Sequence, residues 1–251
     1  MREPSLQELL TASFQSQMNN QFTSIPCIVV GVNLETSTVD IQPSINQKLK
    51  DGTVAERPPI LGVPVSFPVS KTAGMTFPIE LGDTGMAVFS MRDMSAWKAG
   101  NGRPAAPLNN GKMDKSDAVF YPGIQPPSVA VNNPAKRVLT HNTNDTVLVS
   151  NIGSANEVEI RLTANGDIEI NAPTKAVTVN CKNSVVNAQE SAEIVSPTVT
   201  LDATDIFFYG NIVHNGNYTA TGTMSFNGIN FNTHKHLNVQ PGIGTSGGPT
   251  N

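Results

Sequence analysis

Charge and aromatic residues are scarce in this chain: charged residues fill 14% of its 251 positions and aromatics 6%. A formal net charge of −4 leaves no basic footprint of the kind that nucleic acid or anionic lipid requires, so no nucleic-acid partner is expected. Long apolar runs are missing as well. The longest, such as IPCIVVGV (25–32), fall well short of a membrane-spanning helix. The first residues, MREPSLQELL, have no apolar core of the signal-peptide kind. Synthesis and retention in the cytosol, at least until assembly into something else, are the expectation.

Cysteine is limited to Cys27 and Cys181, each among strand-type residues. Neither has a Cys or His at ligand spacing, which excludes a zinc site there. Two buried, reduced thiols are expected in preference to a disulfide. Signatures of catalysis are absent too: there is no GxSxG elbow, and LGDTG (81–85) lacks the Lys-Ser/Thr end of a phosphate loop. The carboxylate pairs Glu157/Glu159 and Asp167/Glu169 have glycosidase chemistry in principle. They lie on the polar side of alternating strands, where a solvated outer face is expected. No enzyme activity and no small-molecule substrate are expected.

Glycine (20) and proline (18) are plentiful, and Asn, Thr, Ser and Val supply much of the rest. That mixture suits short strands joined by turns, an all-β chain. The one credible helix is SLQELLTASFQSQM (5–18), where Ser5 and Glu8 have capping-box spacing and Leu6, Leu9, Leu10, Phe14 and Met18 share a face. From residue 22 to about 130 the signals turn to strands. IPCIVVGVN and TSTVDIQPSI read as a hairpin, PPILGVPVSFPVS follows, and the LGDTG turn feeds the strand Met86–Phe89. Several short strands in so few residues suggest a small closed or partly closed barrel. Prolines confine some of the strands to edges or ends. The loops around WKAGNGRPAAPLNNGKMDKSD (97–117) are of the kind that contact partners or stay mobile. YPGIQPPSVAVNNPAKR (121–137) marks a boundary, a stiff linker or a last edge strand.

Beyond it the composition shifts: no aromatic residue occurs from Pro122 through Ile206. Glu157–Leu162, Asp167–Ile170, Val177–Val179 and Val199–Asp202 alternate polar with apolar. The spacing matches no standard solenoid repeat. One chain has a single narrow apolar stripe and no second layer to cover it. Identical chains wound about a common axis would bury that stripe and remove open strand edges. The outer face would then be acidic, since residues 141–251 hold nine Asp/Glu and four Lys/Arg.

The alternation closes on INFNTHKH (229–236), in which His234 and His236 are two apart and share a face of a continuing strand. Under threefold symmetry three such pairs bring six imidazole nitrogens to one axis. Six nitrogens suit an octahedral divalent ion better than tetrahedral zinc. His141, in a polar turn, and His214, as a core or inter-chain residue, are singletons.

The order of helix, small barrel with LGDTGMAVF, narrow β-repeat, His-x-His and Gly-rich end resembles the central spike proteins of contractile-tailed bacteriophages. The likeness is close over NTHKHLNVQPGIGTSGG (232–248). The resemblance implies an N-terminal helix (1–21), an oligosaccharide-binding (OB)-type barrel domain (22–134), an intertwined triple-stranded β-helix shaft (135–226) and an apex domain (227–251). It also implies that His234 and His236 of three chains hold one iron ion (Fe2+) on the threefold axis. Other octahedral divalent ions are compatible with the same ligands. The function implied is that of a non-enzymatic virion part, a homotrimer attached to the baseplate hub or tail tube that pierces the host outer membrane during contraction. The competing expectation is a trimeric tail fibre or adhesin that binds a host surface glycan.

Overall fold

The computed structural model describes residues 4–19, 21–49, 51–231, 233, 235 and 242. By compactness the chain divides into Met1–Asn180 and Cys181–Asn251. It is an all-β protein with few helices.

Helix α1 spans Leu6–Asn19. Its start is the reciprocal cap expected of Ser5 and Glu8: the Ser5 amide donates to Glu8 Oε2 at 2.6 Å, and the Glu8 amide donates to Ser5 Oγ at 3.3 Å. The apolar face that the spacing produces is uncovered, with Leu6 73% and Phe14 65% exposed.

Strands β1 (Ser24–Asn33), β2 (Thr38–Pro43), β5 (Ile60–Pro64), β6 (Thr84–Phe89) and β7 (Ala118–Pro122) form one sheet in the order β5-β2-β1-β6-β7. A two-residue hairpin, β3 (Gln47–Lys48) with β4 (Val54–Ala55), lies between β2 and β5 in sequence. The β1–β2 hairpin forms as its alternation predicts. Asn33 Oδ1 accepts from the amides of Glu35 (3.1 Å) and Thr36 (3.2 Å), which closes the turn. Prolines end β2, β5 and β7, where a missing N–H costs the ladder least.

The sheet curls until its two edges meet. Val65, just past β5, bridges Phe120 of β7 in parallel, and the Ser66 amide donates to the Phe120 carbonyl at 2.8 Å. The result is a partly closed barrel. Its core is Cys27, Val29, Val39, Ile41, Ile60, Val63, Ile79, Ala87, Phe89, Ala118 and Phe120. Phe22, Ile25, Val65 and Phe67 pack against it from the rim.

The LGDTG segment is structural. Gly82 has φ +93°, a conformation that disfavours any side chain, and its amide donates to the Val29 carbonyl at 2.9 Å. Asp83 Oδ2 accepts from the Glu80 amide at 2.8 Å. A Cβ on Gly85 would stand 2.4 Å from the Phe120 ring and 2.4 Å from the Tyr121 carbonyl oxygen, so the core ring occupies the space a side chain would need.

The loop after β6 contains α2 (Ser95–Ala99), with Trp97 44% exposed. This loop is internally tied. The two oxygens of Asp93 take amides from both of its limbs, Ser95 on Oδ1 at 3.1 Å and Leu108 on Oδ2 at 2.6 Å. Buried Asp117 accepts from the Met94 amide at 2.9 Å.

After β7 the Pro-rich segment makes two 3-10 turns, Pro127–Val129 and Pro134–Lys136. It then runs into a three-stranded antiparallel sheet of β8 (Thr146–Ser150), β9 (Val158–Leu162) and β10 (Ile168–Asn171), in the order β10-β9-β8. The cysteines differ from the expectation that both are buried. Cys27 is buried in the barrel core and Cys181 is exposed; both are free thiols. Burial pushes the Cys27 thiol up to about 11, against a small opposing effect of a hydrogen bond from the backbone of Ala87.

Candidate functional site: an inverted sheet and an uncovered stripe

The β8–β10 sheet has its polarity reversed relative to an ordinary half-buried sheet. Alternation puts Glu159 and Arg161 on one face of β9 and Ile160 and Leu162 on the other. The charged face is the covered one: Glu157 and Glu159 are 1% and 3% exposed, and Ile160 and Leu162 are 43% and 50% exposed. This corrects the expectation of a solvated face for Glu157 and Glu159, while Asp167 and Glu169 are exposed as expected.

The cover is the chain's own linker, anchored by Arg137, itself buried. Arg137 Nε donates to Glu157 Oε1 at 2.6 Å and Nη2 donates to Glu159 Oε2 at 2.8 Å. Glu157 accepts three further amides, Gly153 at 2.6 Å, Val138 at 3.1 Å and Leu139 at 3.3 Å. Burial alone would raise the Glu157 carboxyl, but the Arg137 guanidinium and these amides outweigh it and hold its pKa at about 2. Glu159 Oε1 accepts from Arg161 and, at 3.1 Å, from Asn171 Nδ2. Arg161 also reaches Glu169 at 3.5 Å and the Thr140 carbonyl at 3.0 Å.

His141, expected in a polar turn, is buried against this network, its Nε2 3.2 Å from Asn132 Oδ1. His141 Nδ1 and Arg161 Nε have no hydrogen-bond partner. Glu157 and Glu159 are therefore held as buried, ion-paired structural groups, whereas Asp167 and Glu169 are exposed.

The opposite face is apolar and open. The register places Leu148, Ile160 and Ile170 in one cross-strand row, and Thr146, Leu162 and Ile168 in the next. Leu148 is 55%, Ile170 60% and Ile168 71% exposed.

From Ala172 to Met224 the chain has no strand, and Pro173–Met224 is exposed throughout. The apolar residues of the expected repeats stand in solvent: Val179 74%, Val185 77%, Ile194 76%, Leu201 60% and Ile212 69% exposed. Phe207 and Tyr209 stack with centroids 6.5 Å apart and planes at 20°. His214 meets the Tyr218 ring edge-on at 6.1 Å and is exposed. A short hairpin, β11 (Ser225–Phe226) with β12 (Ile229–Asn230), follows.

His234 and His236 lie outside the described residues. Among the described residues no group of three or more His, Cys, Asp or Glu can hold a metal ion. The residue that sequence reasoning missed is Arg137, which binds the Glu157/Glu159 pair. Its only signal is its place at the end of a Pro-rich linker ahead of an acidic strand.

No curated protein matches the chain. Residues 25–123, the curled barrel, match the family described as the phage protein Gp138 N-terminal domain, which supports a phage structural protein and a virion component.

Proposed function

We propose that this chain is one third of a homotrimeric spike at the tip of a contractile phage tail, which pierces the host outer membrane mechanically and catalyses nothing. The observation that carries the reading is the run from Ala172 to Met224, alternating in sequence and without a strand. A backbone of that length needs hydrogen-bond partners, and its apolar side chains need cover. Identical chains supply both in matching register. Three chains wound together give an intertwined β-helix, whose inter-chain ladders resist bending and whose edges are all paired.

The barrel is the attachment domain. Its strands, followed around the barrel, run β1-β2-β5-β7-β6 and close through the parallel Val65–Phe120 bridge. We read this as an OB-type barrel that seats on the baseplate hub or tail tube. The match of residues 25–123 to a phage protein domain supports that assignment.

At the far end, His234 and His236 of three chains would hold one iron ion on the axis. The donor set fits: six neutral imidazole nitrogens complete an octahedral shell. Bound only by the assembled trimer, the ion would stabilise that state.

Sedimentation mass with elemental analysis of the native assembly tests the reading. Three chains and one metal are expected; a stable single chain would overturn it. A second reading, a trimeric fibre that binds a host glycan, is favoured by one observation, the exposed Phe207–Tyr209 stack. Aromatic faces of this kind take the apolar face of a pyranose. Binding to purified lipopolysaccharide glycan that is lost in Phe207→Ala/Tyr209→Ala would select it.

A further inference from the structure

The segment between β6 and β7, residues 91–117, reverses the charge balance of the chain. It holds five cations, Arg92, Lys98, Arg103, Lys112 and Lys115, against three carboxylates, Asp93, Asp114 and Asp117. Five against three makes the loop basic within a chain whose net charge is −4. Resting on the reading above, in which the barrel seats on the baseplate hub or tail tube, we propose that this loop is the docking surface. Its partner is an acidic protein face with an apolar centre.

The loop's negative charge is occupied internally. Asp93 accepts the amides of Ser95 at 3.1 Å, Leu108 at 2.6 Å and Asn109 at 3.2 Å. Asp114 accepts the amide and hydroxyl of Ser116 at 2.9 and 2.7 Å, and buried Asp117 accepts the Met94 amide at 2.9 Å. Lys98 is spent the same way, donating from Nζ to the Ser116 carbonyl at 2.7 Å. Arg92, Arg103, Lys112 and Lys115 are exposed, and no carboxylate among the described residues pairs with them. They are left to meet negative charge on another molecule.

The loop is also held in shape before any contact. The Asp93, Asp117 and Lys98 bonds join limbs that are far apart in sequence. Met113 adopts φ +50°, a left-handed conformation that few bulky residues take. Its carbonyl accepts the Phe22 amide at 3.1 Å, which ties the loop to the barrel's entry. A surface ordered in advance gives up little freedom on binding.

Apolar side chains stand among the cations. Trp97, the single tryptophan of the chain, is 44% exposed, and Leu108 is 74% exposed. The Asp93 bond brings the Leu108 backbone next to Arg92. Gly102, beside Arg103, lies against the indole, since a Cβ there would be 3.9 Å from Trp97 Nε1. Trp and Arg are the residue types on which protein interfaces concentrate their binding energy. The cations are never adjacent in sequence, and an excess of two is too small for charge alone to carry binding to a polyphosphate or an anionic bilayer.

The test uses the full chain and contractile tails assembled without it. Wild-type chain is expected to be captured by these tails, more slowly as ionic strength rises. Arg92→Glu/Arg103→Glu is expected to slow capture at least about ten-fold, with the mass of the free assembly unchanged. Lys71→Glu, a charge change of the same kind at an exposed position outside the loop, is the control expected to leave capture unchanged. Trp97→Ala is expected to shorten the lifetime of the captured state at least about ten-fold. Because a reversal can unfold the loop, Trp97 emission, with no second indole to mask it, identifies variants whose loop is intact, and Lys112→Glu/Lys115→Glu provides a second reversal. Wild-type capture by both reversals would overturn the docking loop and leave the attached spike standing. Wild-type trimers that the tails do not capture would overturn the attachment itself. A reversal that breaks up the trimer would overturn the proposal in favour of contact between copies. Binding of wild type to phosphatidylglycerol vesicles, lost in the reversals, would overturn it in favour of an anionic bilayer.

Discussion

Arg137 Nε lies 2.6 Å from Glu157 Oε1, and the two side chains are 3% and 0% exposed. A buried ion pair of this kind is weak evidence of net stabilisation against an apolar replacement, yet breaking it from one side is costly. Removing the guanidinium leaves Glu157 buried without a counter-charge and Glu159 with Arg161 alone. Arg137→Ala is expected to destabilise the β8–β10 sheet by about 3–5 kcal/mol, read as lost amide-exchange protection in 146–171 while the barrel amides keep theirs. Protection equal to wild type would contradict the anchoring role.

The same pair sets a pH dependence. Glu157 is held at about 2 against an ordinary value of 4.5. A carboxyl depressed on folding contributes stability that is complete above the unfolded value and lost as pH falls through the folded one. The sheet is expected to weaken progressively between about pH 4.5 and pH 2, by on the order of 3 kcal/mol in total. Urea unfolding across that window measures it. Glu157→Gln should be less stable at neutral pH and show a flatter acid limb.

In the barrel, Gly85→Ala puts a methyl group 2.4 Å from the Phe120 ring. Overpacking of this kind is expected to cost about 1–3 kcal/mol, seen as a lowered thermal midpoint. Because the ring lies at the bridge that closes the sheet, local exchange at Val65 and Ser66 should rise as well. A variant as stable as wild type would mean that the ring has room to move.

At the distal end, the double change His234→Ala/His236→Ala is expected to leave three chains per particle and remove one metal per particle. Metal content by mass spectrometry of the native assembly checks it. Three metals per trimer, or none in wild type, would contradict a shared axial ion.

The barrel was legible because its cues are local. Alternation in β1 and β2 acts within a few residues, as does the Ser5/Glu8 spacing that starts the helix. The polarity of β9 was not legible. Alternation in Glu157–Leu162 shows that two faces differ, but not which one the chain covers. That depends on Arg137, bonded at a sequence separation of 20, and on a Pro-rich segment with no periodicity. The burial of His141 was not legible for the same reason, since its partner Asn132 lies on that segment. Cys181 sits in a strand-like sequence that has no second strand in its own chain, so burial could not follow from its neighbours. His234 and His236 fall outside the described residues.

The linker's point of attachment has a mechanical consequence. Tension on the chain leaving β7 does not arrive first at the outer strand β8, which follows it in sequence, because Arg137 hands it to Glu157 and Glu159 at the head of the middle strand. A pull on an outer strand unzips a ladder one bond at a time, whereas a pull on the middle one must shear the ladders on both sides together. A sheet wired this way takes up a sudden pull as a unit instead of fraying from its margin.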